Sequence, residues 1–337
     1  MLSGQRLGVV AALCTLGMSS LIALPETSLS YSNQSQTVER YKAHRAFGDH
    51  SYWNTPIPRS APKHRNNGGI LRYMHSAPEA GKGCVRLAGT GSNSWGQPIY
   101  WAKRTSPKYR VHATSYDLPP ELDSLRIPRG ARPASTSDKA MTVYDVKRGY
   151  VVSLWHAAFN KQRKSWSAGG AQVAYLRSNG LDSEFRASND RRNRGTMRGN
   201  NGATSAVRYA EVRAGAIRHV LKISSGPELS KKSVLPVVHS DGDASNRNAP
   251  AQGTRLRLKP SVNLHAIKNR QARVIARAMQ RYGVYLGDSG GTTSLKLENT
   301  RVHGQGQRWN MSSTALCRFP LSRKYWEVVP YGYHPHR

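Results

Sequence analysis

The clearest periodicity in the chain lies near its C-terminal end. Val274, Ile275, Ala278, Met279 and Tyr282 recur at three-and-four spacing, which puts them on one face of a helix. Asn269 stands where an N-cap would accept a backbone N–H, and Gly283 stands where a left-handed glycine would end the element. The spacing predicts a helix over 270–282. Arg270, Arg273, Arg277 and Arg281 form a second stripe beside the apolar one, expected to face solvent. After Gly283 the period changes to two. A short strand over 284–286, a glycine turn over 287–291 carrying Asp288, and an alternating strand over 295–298 are expected.

Period-two alternation dominates the centre. Residues 141–145 and 150–156 form a hairpin about a tight turn at 147–149, and 166–176 reads as a third strand. Further strands are expected over 216–223, 234–238, 254–259 and 326–329. In 254–259 the residues Arg255, Arg257 and Lys259 share one face, with Leu256 and Leu258 on the other. Residues 49–62 mix aromatics with prolines and should lie extended against the domain. The polar break at 160–165 is a hairpin loop, whereas 181–204 is long enough to be functional or disordered. Many short strands and one dependable helix predict a mainly β protein. It is expected to be a single jelly-roll or β-sandwich-like domain over 49–337, with one packed helix in its C-terminal half. No solenoid or propeller repeat, Walker A motif or GxGxxG fingerprint is present.

Charge narrows the choice of partner. The 337 residues carry 51 Lys and Arg against 19 Asp and Glu, a formal net charge of +32 spread along the whole chain. A polyanionic setting follows: an anionic polysaccharide, a cell-wall polymer or, as the lesser alternative, nucleic acid. Arg6 followed by an apolar run to Leu24 and then Pro25 has the layout of a secretory signal over 1–30, or of an uncleaved anchor, with a polar linker over 31–48. The expected location is therefore outside the cell or at its wall. Beyond that leader two cysteines remain, Cys84 and Cys317, which can pair or stay as buried thiols. No Cys/His cluster has zinc spacing, and no metal or cofactor is expected.

The segments SDKAMTVYDVKRGYVVSLWHAAF, YLRSNGLD, VRYAEVRAGAIRHVLKI, GTRLRLKPSVNL and ARVIARAMQRYGVYLGDSGG together resemble a family of secreted, mainly actinobacterial proteins, over about residues 50–330. The resemblance implies an exported, β-rich globular domain and brings no mechanism with it. It also implies a histidine where this chain has Ala140, ahead of the first hairpin strand.

Acids are scarce, so each one placed in structure is informative. Asp145, Glu211, Asp288 and Glu298 sit at predicted strand ends or turns, where two could face each other across a glycosidic bond or simply pair with arginines. A polysaccharide lyase needs a cation or amide to neutralise a uronate carboxylate, and a His or Tyr to move protons. His156 or His219 as base and Tyr144 as acid supply those types, with Asp288 or Glu211 as orienting or hydrolytic acids. Arg255, Arg257, Trp155, Arg194 and Arg198 are the candidate substrate-binding residues, and Trp53, Trp95 and Trp101 are candidate exposed aromatics. The GDSGG at 287–291 lacks the upstream histidine context of a serine protease and is read as a turn. The arginine-rich loop around 190–202 could clamp phosphates or carboxylates, or bind nucleic acid. The expected function is action on an anionic polysaccharide by β-elimination or hydrolysis, with a non-catalytic glycan-binding protein as the alternative.

Overall fold

The computed structural model describes residues 44–76, 83–182, 193–196, 201–304 and 306–335. Its two principal sheets comprise β1 (Arg86–Ala88), β2 (Ile99–Ala102), β3 (Met141–Asp145), β4 (Tyr150–Trp155), β5 (Gly170–Tyr175), β6 (Arg194–Gly195), β7 (Leu221–Ser225), β8 (Arg255–Leu258), β9 (Val284–Ser289), β10 (Ser294–Lys296) and β11 (Trp326–Val328). The described α-helices are α1 (Asn67–Ser76), α2 (Tyr209–Arg213) and α3 (Arg270–Arg281). The protein is mainly strands in several sheets with few helices, as its alternating pattern predicts.

The larger sheet has the order β1-β10-β7-β9-β8-β11 and the smaller the order β6-β5-β4-β3-β2. Pairing is mixed: β1 with β10, β7 with β9, and β2 with β3 run parallel, and the remaining neighbours antiparallel. A jelly roll is woven from antiparallel strands, so this pairing does not draw one. The parallel β7/β9 pair needs a long return path, and the chain supplies it through β8 and α3.

Three clusters of buried side chains hold the layers together. The largest lies between the larger sheet and the helices. Val274, Ile275, Ala278 and Met279 of α3 meet Leu221, Ile223, Leu256, Leu258, Val284 and Leu286 there. Each such aliphatic side chain contributes about 1.5–3 kcal/mol when removed from water. The start of α3 is set by the Asn269 side chain, which accepts from the Ala272 N–H at 3.1 Å. Its end is set by Gly283 at φ 76°. A Cβ on Gly283 would stand 2.5 Å from the Leu256 carbonyl oxygen, so the tight step from α3 into β9 is open to glycine alone. At the other edge the Asn67 side chain accepts from the Val328 N–H at 2.7 Å, docking α1 on β11.

A second cluster is aromatic and joins the inner faces of the two sheets through Trp53, Trp101, Tyr144, Tyr282 and Tyr285. The third covers the outer face of the smaller sheet with Val111, Leu118, Leu122, Leu125, Ile127 and Trp166. Cys84 and Cys317 are joined in a disulfide with Cα atoms 5.0 Å apart, across a sequence separation of 233. Among the described residues no helix is long and apolar enough to cross a membrane.

Several local expectations change. The strand expected over 166–176 breaks at Gly169, where an added Cβ would press on the Trp155 ring. Ser165–Ala168 goes to a three-stranded sheet with Val111–Ala113 and Ala158–Asn160, while β5 joins the smaller main sheet. The stretch 216–223 is extended only from Leu221, and the strand expected over 234–238 is replaced by Ser230–Ser233. Asp288 lies within β9 and not in a turn. Trp53 and Trp101 are buried in the aromatic cluster, leaving Trp95 exposed at 41%. Residues 1–43, with the leader and most of the linker, lie outside the described residues.

Candidate functional site

The sequence-predicted site residues fall into separate places. Tyr144, Glu211 and His219 do come together, but inside the protein. Glu211 opens α2 and accepts from Arg208 Nη2 at 2.7 Å and Nε at 3.2 Å. His219 reaches the same carboxylate with Nε2 at 3.1 Å and the Val220 carbonyl with Nδ1 at 2.8 Å. Burial alone would raise the Glu211 carboxyl, and the Arg208 guanidinium and His219 more than offset it, holding the group below its ordinary value. Tyr144, stacked on Trp101 at 5.8 Å, has its hydroxyl pushed up by burial. With Tyr144, Glu211 and His219 exposed by 1%, 3% and 2%, no polymer can reach them. This set is a buried ion cluster that anchors α2 beneath the inter-sheet layer.

Arg255 and Arg257 do share a face, as their spacing predicts, but that face is covered. Arg255 donates to the carbonyls of Tyr282 and Thr55 at 2.7 and 2.6 Å and lies over the Tyr285 ring. Arg257 pairs with Glu327 and donates to the Pro58 carbonyl at 2.6 Å. Their guanidinium groups are spent on closing the segment around residues 55–58 against β8, so their expected role as carboxylate neutralisers is corrected. Arg194 is likewise buried, 3.4 Å from Glu121 and over the Tyr175 ring. Arg198 lies outside the described residues.

A different group of charges lies where β7, β9 and β10 pass the start of β3, with Asp241 exposed, Asp288, Lys296 and Asp138 half-buried and Lys222 buried. Asp288 on β9 is in register with Ser224 on β7. Two residues earlier on β7 stands Lys222, whose stem crosses Gly287; a Cβ there would collide with the Lys222 Cγ and Cδ atoms. Asp241 stands beside Asp288 and accepts the Ser289 N–H at 3.2 Å. The Asp241 N–H in turn donates to Gln252 Oε1 at 2.8 Å, and Gln252 donates to the Gly287 carbonyl at 2.8 Å. Lys296 on β10 lies 3.4 Å from Asp138 and 6.0 Å from the centre of the exposed Trp95 ring.

The electrostatics of this crevice are unusual for the chain. Burial pushes the Asp288 carboxyl up to about 7; Lys222 opposes the rise, and its neighbour Asp241 adds to it. Burial pulls Lys222 down, and the like charge of Lys296 works in the same direction, against Asp288, Asp241 and Asp138. An acid that keeps its proton near neutrality therefore stands beside an amine that gives its proton up more readily than usual. Perturbed pairs of this kind concentrate at sites that move protons.

His156 and Trp155 stand at the near end of β4. The His156 N–H donates to the Asp138 carbonyl at 2.8 Å, tying them to the strand entry that Lys296 also holds. The two rings stack at 3.7 Å with His156 at φ 49°, and the imidazole is exposed. Of the residues expected from sequence, Asp288, His156 and Trp155 thus border this open region. Sequence reasoning missed Lys222, Asp241, Asp138 and Lys296. A lysine between Leu221 and Ile223 in an otherwise apolar strand was the available signal, together with the SDGD run at 240–243 in a chain poor in acids. Among the described residues no group of three or more His, Cys, Asp and Glu side chains could hold a metal ion. Comparison with protein-family models, curated proteins and solved structures finds no match for this chain.

Proposed function

We propose that the protein is an exported carbohydrate-active enzyme that cleaves an anionic polysaccharide by β-elimination at the Asp288–Lys222 crevice. The observation that carries this is the meeting of charges from three stretches of chain: Asp288 in register with Ser224, the Lys222 stem packed across Gly287, and Asp241 accepting the Ser289 N–H beside them. A protonated Asp288 can donate to a uronate carboxylate, and Lys296 can neutralise its charge; together they make the adjacent C–H acidic enough to lose its proton. Lys222, with its lowered proton affinity, is the candidate base. It takes the proton alpha to the carboxylate and returns it to the glycosidic oxygen as the C–O bond breaks and the double bond forms. The exposed His156 borders the same region. Hydrolysis fits less well. Retaining and inverting carboxylates flank the bond to be cut, roughly 5–5.5 or 6.5–9.5 Å apart, whereas Asp241 is held on the Asp288 side by the Ser289 N–H at 3.2 Å. Export draws support from the signal-like leader and from the disulfide, which suits an oxidising compartment.

The test is to incubate the protein with polygalacturonate, alginate and hyaluronan and follow the ultraviolet absorbance of unsaturated ends. Absorbance should grow, fall as pH rises past about 7 where Asp288 loses its proton, and drop by about a hundredfold or more in Asp288→Asn and Lys222→Met. New reducing ends without absorbance would replace the lyase by a hydrolase. Salt-sensitive binding with no product from any polymer would leave a non-catalytic glycan-binding protein.

A further inference from the structure

The outer side of the smaller sheet carries a cleft of about 490 Å³ that shares no lining residue with the crevice. Its aromatic wall is Tyr109, Phe159 and Trp166, and its cations are Arg129, Arg132 and Lys161; no acid lines it. Phe159 meets Tyr109 edge-on at 6.0 Å and Trp166 at 5.2 Å, so the three rings form one surface. Phe159 is 38% exposed and lines the cleft. Arg129, Arg132 and Lys161 are all exposed, and none forms an ion pair with a described residue. The opposite wall is stiff. Pro128 and Pro133 bracket it, and the Tyr100 hydroxyl ties it down, donating to the Arg132 carbonyl at 2.8 Å and accepting the Arg132 N–H at 2.9 Å.

We propose that this cleft is a binding subsite for an acidic sugar ring of a polyanionic glycan. The flat C–H face of a pyranose packs on the exposed Phe159 and Tyr109 rings, and its carboxylate or sulfate meets Arg129, Arg132 or Lys161. A wall held by prolines and by Tyr100 loses little freedom on binding, so even one ring can be retained. The cleft would hold a polymer on the domain while the crevice works on another stretch. The choice of a glycan over a nucleic acid rests on the function proposed above, whereas the cleft itself does not depend on turnover.

The experiment is calorimetric titration of the whole protein with trigalacturonate, a sulfated disaccharide, neutral maltotriose and an oligothymidylate. Trigalacturonate or the sulfated sugar should bind, and whichever does identifies the acidic group. Phe159→Ala and Lys161→Glu, both at exposed positions, should each weaken that binding about five- to tenfold, the range expected for one aromatic or charged contact. Arg277→Ala, at an exposed position of α3 outside both sites, should leave it unchanged, and maltotriose should bind at least about tenfold more weakly. Equal binding of maltotriose, tighter binding of the oligothymidylate, or indifference to both cleft substitutions would overturn the proposal. If polymers stay intact while the cleft variants lose binding, the crevice reading fails and the cleft stands. If polymers are cleaved and the cleft variants bind as before, only the cleft fails.

Discussion

Two carboxylates in this basic chain are driven in opposite directions by where they sit. Burial and a second carboxyl raise Asp288, while Arg208 and His219 hold Glu211 down against its burial. The consequence for stability follows from proton linkage. Asp288 titrates about 7 in the folded protein against an ordinary 3.8, so between those values the folded chain keeps a proton the unfolded chain has released. Its stabilising contribution is complete below about pH 3.8 and is lost as pH climbs through about 7. Melting temperatures from pH 4 to 8 should therefore fall less steeply in Asp288→Asn than in the natural protein. Parallel curves would refute the shift. The state of Asp288 could not be read from its neighbours in sequence, because Lys222 and Asp241 are brought close only by folding. Glu211 has its Arg208 partner three residues away, and only its burial and the contact with His219 needed the fold.

Strands β8 and β11 show how an element can obey its sequence pattern and still mislead. The alternation in RLRL correctly puts Arg255 and Arg257 on one face and Leu256 and Leu258 on the other. A half-polar strand usually means one wet face, and here residues 55–58 cover the arginine side. Arg257 is directly opposite Glu327 in the antiparallel pair, which makes the ion pair a cross-strand contact under cover. Arg257→Ala should cost about 1–3 kcal/mol in urea unfolding, because Glu327 is left buried with only Lys63, 3.8 Å away, to answer its charge. The double change Arg257→Met with Glu327→Leu should recover most of that loss. A single substitution that costs under about 0.5 kcal/mol would show the pair to be effectively solvated. Helix α3 behaves more simply. Its apolar stripe is buried, Arg270, Arg277 and Arg281 are exposed, and the caps stand where Asn269 and Gly283 imply.

Across the molecule, the Cys84–Cys317 bond ties together chain segments 233 residues apart. Closing so long a loop in the unfolded chain is worth about 5–6 kcal/mol on chain-entropy grounds. Reduction should lower the denaturation midpoint accordingly, and a midpoint unmoved by reductant would mean the unfolded chain is already compact. The helix 270–281, the 141–155 hairpin, the mainly β class and the basic surface were legible in the chain, because each depends on side chains a few positions apart. The separation of 165–168 from 170–175, the covering of Arg255 and Arg257, and the burial of Tyr144 and His219 were not. Period-two spacing says which residues share a face and nothing about what will lie on it. The crevice belongs wholly to the second kind. Lys222, Asp241, Asp288, Lys296 and Asp138 come from five separate stretches, and only the packing of β7, β9 and β10 beside the entry to β3 makes them one electrostatic unit.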